Sequence, residues 1–316
     1  VTVYNSLIGR TDAAALMPEE VSREIIAALP SSSAALSTFR SVNMGRAQQR
    51  LPIVSVLPTA YWVDGSSDTA LKQTAEVDWG NKFLDARELA VIVPVPEAVL
   101  DDSAFDIWGE VRPLLVEALG SALDAATLFN TGNPWPQSYQ AGIVGQAVAA
   151  GNSVTEGTGV DFLDDVNLAM GKVEADGYDV SRVYARRKVR AHLRGLRATT
   201  HEPILGASAN DAAIGDIFGA PIKYVANQPW VNNYEVIVGD DRMAILGVRQ
   251  DITFKLFTEG VISDDSGNVV LNLMQQDAAA MRVVARFGFA VAAPINLENP
   301  TDATRFPFAV VINAGS

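Results

Sequence analysis

The sequence predicts an α+β fold, in which helices and strands both occur but do not alternate regularly. Three observations lead there. Two extended apolar stretches marked by prolines come early, a wide helical stripe follows at 104–130, and the chain beyond 268 reads mainly as strand.

Residues 1–17 read as an irregular arm. "MPEEVSREIIAALP" then predicts a short helix: Pro18 suits the first turn and Glu19 and Glu20 favour the positive end of the dipole. Val21, Ile25 and Leu29 share a face, and Pro30 stops it. "SSSAALSTF" follows as a linker or a second helical turn. "RLPIVSVLPTAYWV", 50–63, is extended, with Pro52 and Pro58 removing ladder donors; "DGSSDTALKQT", 64–74, is small and polar, as a loop tip is. Extension resumes at Ala75 and runs through "KFLDARELAVIVPVPEAVLDD", where Pro94 and Pro96 should avoid the middle of a sheet. Two proline-marked legs around a soft tip predict a projecting hairpin. With little core of its own, it must bury its apolar residues against something else, and a neighbouring copy is the natural cover.

Next comes "AFDIWGEVRPLLVEALGSALDAATLFN", one long helix with an irregular first part; Asp106 can cap it and Pro113 is a misfit unless the helix bends or starts there. Val111, Leu115, Ala118, Leu119, Ala122, Leu123 and Ala126 form its apolar stripe. After a loop at 131–142, "DFLDDVNLAMGKVEADG" predicts a helix with Phe162, Val166, Ala169, Met170 and Val173 inward and Gly177 at its end. "YDVSRVYA" reads as strand and "RRKVRAHLRGLR" as helix with Val189, Leu193 and Leu196 inward. "APIKYVA", "YEVIVGD", "RMAILGV" and "DITFKLF" read as strands. In "RVVARFGFAV", Val283, Ala285, Phe287, Phe289 and Val291 share one face while Arg282 and Arg286 point the other way, and "FPFAVVIN" makes a last strand.

Composition narrows the function. Cysteine is absent, which removes disulfides, thiolate metal sites and cysteine nucleophiles together. No run approaches the roughly 18 apolar residues of a membrane span, and "VTVYNSLIGR" lacks the pattern of a secretory signal. The net charge of −13 opposes affinity for a phosphate backbone but not the enclosure of nucleic acid. No catalytic, cofactor or metal site is expected. His192 and His201 are the only histidines, and His192 has no evident ligand partner. "GASAN" at 206–210 lacks the second glycine of a nucleophile elbow, and no phosphate-binding G-x-x-x-x-G-K-[ST] loop exists. "EGTGVDF" has two of three dinucleotide glycines and reads as a loop before a helix; "DDSGN" lacks the length of a calcium loop and reads as a turn. Paired aspartates, such as Asp101 with Asp102, Asp164 with Asp165 and Asp240 with Asp241, suit helix starts and turns. A basic cluster stands out: Arg182, Arg186, Arg187, Lys188, Arg190, Arg194 and Arg197, with no acid between Val180 and His201. On so acidic a chain it is better matched to carboxylates of another copy than to nucleic acid, and a plain solvated face is an equal alternative.

Five phrases, spread in order over nearly the whole chain, resemble the capsid family of tailed bacteriophages, with the Hong Kong 97 fold. They are "MPEEVSREIIAALPSSSAAL", "KFLDARELAVIVPVPEAVLDD", "ALGSALDAATLFN", "AILGVRQDITFKLFTEG" and "NLMQQDAAAMRVVARFGFAVAAP". The resemblance implies an N-terminal arm (1–46), an extended loop lying over an adjacent subunit (47–98), and a peripheral domain with a spine helix (99–140). It also implies an axial domain (141–267) and peripheral C-terminal strands (268–316). Hexamers and pentamers in an icosahedral shell around double-stranded DNA would follow, assembled in the host bacterial cytoplasm. Scaffolding, portal and decoration proteins are the implied partners, with no membrane and no sequence-specific DNA contact. Trp62, Lys72 and Trp79 on the hairpin, and Arg186, Arg187, Arg190 and Arg194 on the basic segment, are the candidate inter-subunit contacts. Lysine–asparagine cross-linking is not expected: Lys72, Lys82, Asn272 and Asn296 are residue types too common to signal it. An encapsulin-type compartment shares the implied fold, and a carboxylate-dependent hydrolase is the alternative of another class.

Overall fold

The structure, a computed structural model, describes residues 33–58, 60, 62, 74–102, 106–196, 215–225, 230–264 and 266–314, with the backbone alone at 250–252. The expected arm helix at 17–30, "GASAN", His201, Arg197, Lys72 and most of the hairpin tip lie outside these residues. Contacts divide the chain into two compact units, one built from 87–120 and 249–287, the other from 33–86, 121–248 and 288–316.

The second unit opens with α1 (Ala34–Thr38), so "AALST" is a short helix, capped by Ser33, whose side chain accepts from the Leu36 N–H. β1 (Arg40–Asn43) follows, then β2 (Gln48–Val56) and β3 (Asp78–Asp85), which pair antiparallel from Gln48 opposite Asp85 to Val56 opposite Asp78. These are the two hairpin legs. Pro52 sits in β2 opposite Asn81, and is tolerated because, among the described residues, the two-stranded ladder leaves each leg one open edge.

The second leg is shorter than expected. The extension does not continue past Asp85 in the same ladder: β4 (Arg87–Pro96) begins after Ala86 and pairs instead with a late strand, β13 (Ala278–Val291), from Arg87 opposite Phe287 to Pro96 opposite Ala278. The opening apolar run is therefore two strands in two sheets. Pro94 and Pro96 have the same parity, so both missing donors fall on one edge, and among the described residues β4 has a strand partner on one side only. The first unit continues with α2 (Glu97–Asp102) and the start of α3 (Ile107–Phe129). The Gly109 N–H donates to Asp106 Oδ1 at 3.0 Å, the expected cap. Pro113 lies inside α3 rather than at its start, leaving the Gly109 carbonyl without its helical donor. Leu115 and Leu119 pack with Leu89, Val91, Val93, Met281 and Val283, and burial of that size is worth about 1.5–3 kcal/mol per side chain.

Farther along α3, in the second unit, Leu123, Asp124, Ala126, Thr127 and Leu128 are buried; Ala122 there, and Ala118 in the first unit, both expected inward, are exposed. A methyl group gains little from burial, so alanines do not fix the edge of a stripe. A helix the sequence did not signal, α4 (Ile143–Ala149), follows Gly142, where a side chain would collide with the Asn130 backbone. Then come β5 (Ser153–Thr155), α5 (Phe162–Ala175), β6 (Arg182–Arg186), α6 (Val189–Gly195), β7 (Asp216–Ile217), β8 (Ala220–Val225) and β9 (Tyr234–Gly239). Phe162, Val166, Ala169, Met170 and Val173 of α5 and Val189 and Leu193 of α6 are all buried against the sheet, as their spacing predicts. "RMAILGV" and "DITFKLF" form one strand, β10 (Ala244–Phe257). β11 (Val261–Ser263) and β12 (Val269–Asn272) make a small hairpin whose turn is held by Asp264, which accepts from the Ser266 and Asn268 N–H groups at 2.9 and 2.8 Å.

β14 (Phe308–Ile312) departs from the expected grouping. Instead of joining the C-terminal peripheral strands, it lies between β5 and β9 in a six-stranded sheet ordered β5-β14-β9-β6-β8-β7. Its first four residues are buried, which suits a strand covered on both faces and paired on both edges. Gly239 allows this pairing, since a side chain there would strike Phe308 and the Pro307 carbonyl. In β13 only Arg282 and Arg286 escape burial, so the predicted apolar face is present but the opposite face is largely buried too.

Candidate inter-subunit interface

The hairpin leaves its apolar side chains uncovered. Val56 and Val77 are 39% exposed, Trp79 is 61% exposed and Trp62 fully so. Trp79 stands opposite Val54, and toward the root of the ladder the Arg50 Nε donates to Asn81 Oδ1 and Gln48 Nε2 to Asp85 Oδ1 at 2.8 Å. Trp62 and Trp79 are therefore both exposed, and so are Val56 and Val77. The sequence names these valines only as strand formers.

The root of the hairpin, by contrast, is firmly held. Phe83 donates its N–H to the Tyr139 hydroxyl at 3.1 Å and its carbonyl accepts from Gln140 Nε2 at 2.8 Å. Gln140, itself fully buried, also donates to Asp85 Oδ2. Met44, Leu84, Ile245 and Ala290 pack beneath, with Leu51 and Tyr139 against them. Gly247 and Gly288 admit the Met44 sulfur, where a side chain at either would crowd it.

The basic segment is less uniform than its sequence implies. Arg186, expected as a contact to another copy, is buried and makes a two-pronged ion pair with Glu235 across β6 and β9, so its charge is committed within its own chain. Glu235 lies 49 positions away, which is why the local sequence showed a surplus of charge. Arg182 pairs with Asp241 at 2.7 Å, and the Arg190 guanidinium lies 4.1 Å from the centre of the Tyr224 ring. Arg187, Lys188 and Arg194 are exposed, with the Arg194 Nε donating to the Arg190 carbonyl at 3.4 Å.

The residues that once suggested chemistry have structural occupations. Asp165, 1% exposed, accepts from the Gly157 and Gly159 N–H groups at 2.8 and 2.6 Å, so the glycine-rich loop folds onto the first turn of α5 and its amides are engaged. His192 packs against Phe162 with ring centres 4.7 Å apart. Among the described residues no three acidic or histidine side chains gather as a metal site, and no helix is long and apolar enough to cross a membrane. Burial raises the Asp124 carboxyl above its ordinary value, opposed by donors from Ser33, Ala35 and Ala34. Tyr184, fully buried, is pushed up as well by burial, with Thr38 bonded to its hydroxyl at 2.8 Å.

Comparison with known proteins agrees with the resemblance seen in the sequence. The model of the phage capsid family matches residues 13–297. The major capsid protein of Staphylococcus phage 80alpha is 25% identical over 240 residues, 74% of this chain and 69% of that protein. A solved chain from Microbacterium phage Oxtober96 is 38% identical with a TM-score of 0.82, covering 98% of this chain and 100% of its own. One from Mycobacterium phage Cain is 29% identical with a TM-score of 0.80, over 98% and 100%.

Proposed function

Since the chain belongs to the phage capsid family, with the Hong Kong 97-like fold of its structural relatives, we propose that it builds its shell by laying the β2–β3 hairpin over an adjacent copy. The chain is a structural major capsid protein rather than an enzyme, and many copies form the capsid of the virion. The finer reading is an icosahedral shell of hexamers and pentamers around double-stranded DNA, assembled in the host cytoplasm with scaffolding, portal and decoration proteins as partners. The net charge of −13 supports enclosure without tight DNA binding.

The exposed Trp62 and Trp79 at the end of a well-anchored hairpin carry this reading. Uncovered tryptophans beside a polar rim are what an interface core presents before its partner arrives. Many such modest contacts add up once a closed geometry is reached. In the same scheme, 1–46 is the arm, 47–98 the extended loop, and 99–140 with the later strands the peripheral domain. Residues 141–267 form the axial domain, with β14 in its sheet. Lys72 joins the tryptophans as a loop contact, and Arg187, Arg190 and Arg194 face carboxylates of the neighbouring axial domain.

Deletion of residues 60–80 tests the proposal. Negative-stain microscopy should show closed particles from the intact chain and few or none from the deletion. Particles of undiminished yield and heat resistance without those residues would refute it.

A further inference from the structure

Lys82 lies on β3 within the second unit, close to the hairpin root. Its Nζ donates to the Val291 carbonyl at 3.1 Å and sits 5.5 Å from the centre of the Tyr139 ring. Among the described residues no carboxylate lies within ion-pair distance of it. Its side chain borders two neighbouring cavities, and Asp302 and Arg305 border both with it. Arg305 is 4% exposed. Its Nη1 donates to the Asn299 carbonyl at 3.0 Å, and its Nη2 to the Ala293 carbonyl at 3.2 Å and Asp302 Oδ1 at 2.9 Å. Its Nε has no hydrogen-bond partner among the described residues.

Two cations thus line this space with a single carboxylate, and that carboxylate is already bonded to Arg305 while its side chain is 87% exposed. Burial pushes the Lys82 ammonium below the ordinary lysine range, Asp302 partly offsets this, and Arg305 adds to the depression by like-charge repulsion. An ammonium has three donors, of which one is matched here, and a buried guanidinium N–H without an acceptor is costly. Both cations are fixed by the framework, one on a strand and the other by three backbone or side-chain acceptors. A ligand that satisfies them need not order them first.

We propose that this cavity binds a small oxyanion of the inorganic phosphate class, held between the Lys82 ammonium and the Arg305 guanidinium. The anion supplies acceptors to both groups through charge-assisted hydrogen bonds and cancels their mutual repulsion. It also fastens β3 to the segment around residue 305, so its occupancy stiffens the hairpin root. This inference stands on the cavity alone and does not depend on what the hairpin covers.

The test uses the full-length chain and inorganic phosphate, with chloride at matched ionic strength as the reference. Thermal unfolding should shift upward by a few degrees with phosphate and not with chloride. Lys82→Met should abolish the phosphate-specific shift, and Asp302→Asn, which removes the competing carboxylate, should lower the phosphate midpoint several-fold. Equal shifts in both salts, or a response retained in Lys82→Met, would overturn the proposal. Should Lys82→Met not fold, Asp302→Asn decides: an unchanged or raised midpoint would overturn it equally.

Discussion

Asp124 shows how much can rest on one side chain. From α3 it accepts the Ser33 hydroxyl at 2.6 Å and the Ala34 and Ala35 N–H groups at 2.8 and 2.9 Å, joining the first turn of α1 to the long helix. Asp124→Ala leaves three buried donors without an acceptor and should cost about 2–4 kcal/mol in a denaturant titration. The pH dependence has a definite sign. Burial raises this carboxyl above its ordinary 3.8, so the folded chain holds the proton to higher pH than the unfolded one. Its contribution is fully favourable below the unfolded value and is lost as pH rises through the folded value. Asp124→Asn should flatten that part of the stability–pH profile, and a profile unchanged in slope would contradict the assignment. None of this was legible in the sequence, where Asp124 is one polar residue in an apolar stripe and its partners lie about 90 positions upstream.

At the scale of elements, prolines, caps and spacing carried the prediction. The inward faces of α5 and α6, the turn at 264–268 and the two-legged hairpin could all be read locally. What could not be read was partnership. β3 and β4 form one continuous extended run, and only pairing with β2 or β13 divides them. α4 begins without a side-chain cap, and Arg186 appears unpaired until β9 is placed beside β6. The hairpin root yields an element-level prediction. Tyr139→Phe removes the acceptor of the Phe83 N–H, and a lost bond worth about 1 kcal/mol should speed hydrogen exchange at that amide roughly fivefold, with distant amides unchanged. Exchange at Phe83 equal to that of the parent chain would show that the root is held by packing alone.

For the whole molecule, family membership fixes the role, and in the proposed scheme the exposed hairpin residues are the means of association. Trp79→Ser removes apolar area that is 61% uncovered in the isolated chain. The subunit should therefore keep its circular dichroism and thermal unfolding while the yield of closed shells in sedimentation falls several-fold. Loss of shells together with loss of folded subunit would place Trp79 in the monomer's own stability instead.

The position of β14 bears on timing. The gap between β5 and β9 stays open until β14, which follows both in the chain, has left the ribosomal exit tunnel. A nascent polypeptide thus carries an unfinished sheet until that strand emerges. Neighbouring polysomal copies should then be unable to polymerise prematurely, and insertion of that strand becomes the event that makes a subunit competent.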